Sequence, residues 1–254
     1  MKMKKMKFFT GLAVMIMSVF TLTACDDDEY VYYYPPSPNA LVTVKPLADG
    51  GGFYMQLDDK TAVYPYNMKK SPFGDKEVRA LASLTWVKRD GGVEPDANSM
   101  PLVNVNWIDS IRTKNAVPYP ADGNIEEYGD DPIEIVRDWV NIAEDGYLTL
   151  RFRTRWGTDG TVHYVNLLTG VNPEDPYEVE FKHNAYGDVN GYAGDALVAF
   201  RLGDLPDTQG KTVKLTLKYK SYSGEKSIQF DFCSKESTAS AGQTERALYS
   251  SRVK

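Results

Sequence analysis

His163 and His183 are the only histidines of this 254-residue chain. Acid–base or metal chemistry near neutral pH would look to them first, because imidazole titrates there unperturbed. Neither belongs to an HExxH helix, and no GxSxG elbow or CxxC pair occurs. His183 falls in phase with Tyr177, Val179 and Phe181, which reads as a hydrogen-bonded residue at a strand end rather than a base. His163, beside Tyr164 at the start of a strand, takes the same reading, and each stands alone in sequence. Asp188-Val189-Asn190-Gly191, closing at Asp195, faintly resembles a calcium loop, since alternate oxygen ligands precede a glycine turn. It lacks the full loop spacing and the terminal Glu, so it reads as an Asx-rich turn. Glu126-Glu127 and Asp130-Asp131 read as solvated linker charges. They would make a glycosidase pair only if the fold converged carboxylates to about 5–9 Å. No catalytic residue, metal site or cofactor is therefore assigned.

Other residues suit recognition better. Arg151, Arg153 and Arg155 form a basic stripe on the outward face of one strand. Cross-strand pairing with Glu178 and Glu180 is its ordinary explanation, and a docking patch for an acidic partner is the sharper one. Trp86, Trp107 and Trp156 lie in phase with sets expected to be buried, which leaves Trp139 and the tyrosines near the N-terminus as platforms for a sugar or a partner. Cys233, out of phase with Phe230 and Phe232, is a free thiol with no activating base near it in sequence.

Residues of this kind need a scaffold, and period-two patterning supplies it. Short strands run from Leu41 to Lys45, Phe53 to Leu57 and Ala62 to Tyr66, punctuated by Gly50-Gly51-Gly52 and Asp58-Asp59. Val78, Ala80, Ala82, Leu84 and Trp86 then alternate, as do Val103, Val105 and Trp107 after a polar loop over 91–99. About five strands without a helical stripe suit a small β-barrel of the oligonucleotide/oligosaccharide-binding (OB) type, with an SH3-like barrel as the close alternative. Residues 115–132 carry Pro118, Pro120, Gly123 and Gly129 with no periodicity, and the domain boundary is expected there. Beyond it Leu148, Leu150, Phe152 and Trp156 open a series of about seven strands, which indicates an antiparallel, immunoglobulin-like β-sandwich. The expected class is all-β, with a barrel over 40–130, a sandwich over 131–234 and a disordered tail over 235–254.

The N-terminus addresses location. Lys2, Lys4, Lys5 and Lys7 precede an apolar run from Phe8 to Phe20 and then Leu22-Thr23-Ala24-Cys25. This is the form of a lipoprotein signal peptide over 1–24, cleaved between Ala24 and Cys25. A membrane-spanning helix would need ~20 apolar residues. Acylation of Cys25 would anchor the chain stably, each buried methylene contributing ~0.8 kcal/mol. Asp26, Asp27, Asp28 and Glu29 resemble a surface-export signal, and the Tyr/Pro-rich residues up to 39 form a stiff spacer. The expectation is an outer-membrane lipoprotein of the cell envelope, exposed at the surface. Loss of the first 24 residues removes four of 29 basic and none of 35 acidic side chains, leaving a net charge of about -10. Nucleic acid is excluded as a partner for want of a basic stripe to neutralise phosphates. With Cys25 acylated, no intramolecular disulfide is available.

The order of these features resembles the NigD-like lipoproteins. The matching stretches are Glu77-Val78-Arg79-Ala80-Leu81-Ala82, the Val103 to Lys114 segment ending Ile111-Arg112-Thr113-Lys114, Asp145-Gly146-Tyr147-Leu148, and His163-Tyr164-Val165-Asn166-Leu167. The resemblance implies an N-terminal OB-type barrel, a C-terminal β-sandwich and no catalytic residues. The family takes its name from a gene neighbouring a bacteriocin, which implies an immunity role through an unknown protein partner, with glycan binding as the alternative.

Overall fold

The structure, a computed structural model, describes residues 37–48, 50–87, 100–158 and 160–234. The cleavage site at Ala24 and Cys25, the acidic run Asp26 to Glu29, the spacer up to residue 36, the polar loop over 91–99 and the tail over 235–254 lie outside them.

Five strands close the N-terminal barrel: β1 (Ala40–Pro46), β2 (Phe53–Gln56), β3 (Ala62–Pro65), β4 (Val78–Trp86) and β5 (Leu102–Ser110). Their order around the barrel is β1-β2-β3-β5-β4, with β3 and β5 parallel and β1 returning to β4 antiparallel. Val42, Val44, Phe53, Met55, Val63, Ala80, Ala82, Val103 and Val105 fill it. These are the alternate residues that period two assigned to the interior.

The alternation breaks where β4 meets β5. Ser83 faces Trp107 and Leu84 faces Val105, so Asn106 is an extra residue on β5, and its amide donates to Ser83 and Thr85. Past this bulge Ile108, not Trp107, packs on the barrel core. Trp86 also departs from expectation, being 58% exposed. The β1–β4 ladder reaches only Ala40 opposite Ala82, so the end of β4 runs beyond the wall that would have covered it.

The sandwich uses the remaining strands: β6 (Arg112–Asn115), β7 (Val117–Pro118), β8 (Glu134–Ile135), β9 (Ile142–Glu144), β10 (Tyr147–Trp156), β11 (Tyr164–Thr169), β12 (Glu178–Asn184), β13 (Tyr192–Arg201), β14 (Val213–Ser221) and β15 (Gly224–Phe232). One sheet runs β6-β13-β10-β8 with β9 beside β10, and the other runs β15-β14-β12-β11-β7. Leu148, Leu150, Phe152, Leu167, Phe181, Phe200, Leu215, Leu217 and Phe232 meet between them. The class is all-β, an OB barrel followed by a β-sandwich, and the described residues contain no α-helix.

Three pairings, β6 with β13, β7 with β11 and β12 with β14, are parallel, so the sandwich is mixed rather than wholly antiparallel. Two of them also move the boundary: the chain enters the sandwich at Arg112, upstream of the expected linker. Within that linker Asp131 N–H donates to the His183 carbonyl, and just past it Ile133 N–H donates to that of Lys220. Such short backbone pairings leave no side-chain period to read.

Candidate functional site

Barrel and sandwich form one compact unit, and the hairpin β9–β10 accounts for much of the join. Asp145 and Gly146, both at positive φ, make the two-residue turn that hairpins favour. The tip is buried against the barrel rather than exposed. Lys45 Nζ donates to Asp145 Oδ1 at 2.7 Å, and Asp145 N–H donates to Asp59 Oδ1 at 2.6 Å. Arg79 is fully buried beside it. Its guanidinium donates to Glu144 Oε1 at 2.7 Å, to Thr43 Oγ1 at 3.0 Å and to Thr149 Oγ1 at 3.3 Å. Tyr147 donates to Glu77 Oε1, and both Arg79 and Arg201 lie over its ring. Leu41, Ile111, Val140 and Ala199 enclose this polar seam in apolar packing.

A cleft of about 290 Å³ opens along the seam, lined by Asn39, Ala40, Leu41, Leu57 and Leu84 with Trp86 from the barrel, and by Trp139, Ile142 and Glu144 from the sandwich. Trp139 is 53% exposed. An indole from each domain thus borders the same cleft, with more than half of its surface open to a ligand. Asn39 is engaged at both ends of its amide with the backbone of Leu84. Glu144 is held above the ordinary carboxylate range by burial, against the pull of Arg79, with Asp59 and Asp58 adding to the rise. The exposure of Trp139 was legible in the sequence. That of the second indole, Trp86, was not, because strand phase says nothing of where a neighbouring strand stops.

The other residues singled out in sequence fall elsewhere. Arg151 and Arg153 pair with Asp195 on β13, and Arg151 also with Asp138. The expected partners Glu178 and Glu180 lie in the opposite sheet, where they bind Lys218 and Lys182. Arg155 is exposed and donates to the Gly191 carbonyl. Asp130 bridges Lys182 and Lys220, and Asp131 accepts the Ala185 N–H. Asp188 accepts from Gly157 N–H at 2.7 Å and lies 3.1 Å from His163 Nε2. The carboxylates of the calcium-like loop are therefore directed apart. Cys233 is half-buried and accepts from the Thr208 hydroxyl.

The two histidines correct the reading that left each alone. His163 Nδ1 lies 3.0 Å from His183 Nε2, His163 stacks on Trp156, and His183 Nδ1 faces the Asp131 carbonyl at 3.3 Å. The antiparallel pairing of β11 with β12, which sets Tyr164 opposite Asn184 and Val165 opposite His183, brings together residues that no motif connects.

Residues 41–111 match the family model of the NigD-like N-terminal OB domain, and residues 115–232 match that of the NigD-like C-terminal beta sandwich domain. The chain belongs to the NigD-like family. Among solved structures, a protein described as toxin-related from Parabacteroides distasonis is 30% identical to this NigD-like chain. The match covers 82% of this chain and 97% of that one, with a TM-score of 0.62. A NigD-like immunity protein from Bacteroides caccae shares the fold at 20% identity, covering 78% and 93% of the two chains at a TM-score of 0.52. A protein of unknown function from Bacteroides vulgatus does so at 18% identity, covering 76% and 89% at 0.58. No match was found among curated protein sequences.

Proposed function

We propose that this NigD-like protein is a non-enzymatic, lipid-anchored binding protein of the outer membrane, exposed at the cell surface, that takes a protein partner at the junction cleft. The observation that carries the reading is the pair of exposed indoles, Trp86 and Trp139, contributed to one cleft by two domains. Exposed tryptophans bordering a concavity are the residues on which binding energy concentrates. A bacteriocin, met in an immunity role, is the partner suggested by the family name and by the B. caccae immunity protein. The non-enzymatic reading draws support from the engagement of Asp130, Asp188 and Asp195 in ion pairs and hydrogen bonds.

Affinity capture from the envelope of the producing cell, with bound proteins identified, tests the reading. Trp86→Ala and Trp139→Ala each remove a hot-spot side chain worth about 2 kcal/mol, so each should weaken capture of the same partner by roughly thirtyfold. Capture indifferent to both substitutions would sink the site. The anchor has its own test: Cys25→Ala should move the protein from the membrane to the soluble fraction, because no acyl chain can then be attached. Retention of that variant in membranes would remove the lipid anchor from the reading.

Glycan capture is the second reading, favoured by the same flat indole faces, against which the C–H face of a pyranose can stack. Titration with a broad panel of soluble glycans that leaves tryptophan fluorescence unchanged would end it.

A further inference from the structure

We infer that the occupant of the junction cleft is a cationic, apolar segment of a partner polypeptide, with a Lys or Arg side chain against Trp86 and Trp139 and its aliphatic neighbours on the cleft floor. The inference rests on the binding reading above and names the chemistry of its partner. The floor decides against a hydroxyl-rich ligand. It is made of Ala40, Leu57, Leu84 and Ile142, and the amide of Asn39 is already engaged with the Leu84 backbone at both ends. A sugar brought here would find one charged acceptor, Glu144, already paired with Arg79, and would surrender most of its hydrogen bonds to water without replacing them.

Charge then selects among polypeptides. Glu144 lines the cleft, Asp58 and Asp59 act on it through space, and Asp145 lies next in sequence. Against these four carboxylates stand Arg79 and Lys45, both buried in ion pairs, and Lys60 beside Asp58. The locus is left net negative within a chain that is itself acidic. An indole face attracts a cation through its quadrupole, and Trp does so best among the aromatics. Two such faces beside the Glu144 carboxylate favour an ammonium or guanidinium head, while the leucines receive its apolar neighbours. Negative potential in a cleft also speeds the approach of a basic segment.

The test uses the full mature chain and three probes: a short alternating lysine–leucine peptide, its glutamate–leucine counterpart and a neutral oligosaccharide. Binding is read by calorimetry and tryptophan fluorescence. The lysine peptide should bind, about tenfold more weakly at physiological than at low salt, and its fluorescence response should vanish in the Trp86→Ala, Trp139→Ala double variant. Both indoles are exposed, so that variant retains the core. Asp58→Asn, at an exposed position next to the lining residue Leu57, should weaken the lysine peptide and leave the glutamate peptide unaffected. Equal binding of the two peptides, salt-independent binding, binding that persists in the double variant, or a response to the oligosaccharide alone would overturn the inference. No peptide binding, with partner capture from the envelope still dependent on Trp86 and Trp139, would overturn the cationic occupant and leave the binding site standing. Loss of both would overturn both.

Discussion

Replacing Arg79 with alanine is expected to destabilise the protein by about 3–5 kcal/mol, read as a shift of the urea or thermal unfolding midpoint. The guanidinium is fully buried where the two domains meet, and it joins Thr43 of the barrel to Thr149 and Glu144 of the sandwich. Its removal leaves Glu144 without its cation in a site that already disfavours the charged carboxylate, with Asp58 and Asp59 near enough to repel it. Two hydroxyls lose a donor at the same time. Arg79→Lys should recover only part of the loss, since an ammonium on a flexible stem cannot present three separated donors in the geometry of a planar fork. Replacing the ion pair as a whole, Arg79→Met with Glu144→Leu, should cost far less than Arg79→Ala, because no buried charge is then left uncompensated. If Arg79→Ala unfolds at the wild-type midpoint, the seam does not hold the domains together.

Arg79 also shows how far the fold was readable from the chain. Val78, Ala80, Ala82 and Leu84 alternate cleanly, and the barrel interior that this alternation assigned is the interior found. The same alternation puts Arg79 on the outward face, where a charged side chain normally meets water. It does point outward from the barrel, but the face it occupies is covered by the sandwich, and period two cannot report what a second domain covers. Trp86 and Trp107 fail for related reasons: a neighbouring strand that stops short, and one extra residue at Asn106. The entry into the sandwich at Arg112 was hidden because β6 and β7 are held by backbone pairing in strands of four and two residues. The exposure of Trp139 was legible because it follows no buried set. The cleft it borders depends on the Asp145-Gly146 tip docking into the barrel, a tertiary event with no local signature.

Acidification should weaken the folded state by roughly 3 kcal/mol between pH 6.5 and 4 through His183 alone. Asp188, His163, His183 and the Asp131 carbonyl form a chain with three contacts, at 3.1, 3.0 and 3.3 Å. Charging both rings would set two imidazolium cations in contact at a site where His183 is 1% exposed. Burial first, and then the positive charge of His163, push the His183 imidazole down to about 4, against the smaller favourable pull of the Asp131 carbonyl. Between that value and the ordinary 6.5 the unfolded chain binds a proton that the folded chain refuses, so stability falls as the pH falls. Below 4 both states are protonated at this site and its contribution levels off. Asp130 and Asp195, held down by Lys and Arg partners, act at still lower pH, since their stabilisation is lost only below the ordinary carboxylate range. His183→Gln should therefore flatten the stability profile between pH 4 and 6.5 while leaving the steeper acid limb in place. An imidazole titration by NMR should find the His183 ring neutral at pH 5, and a profile whose slope in that window survives the substitution would assign the proton to another group.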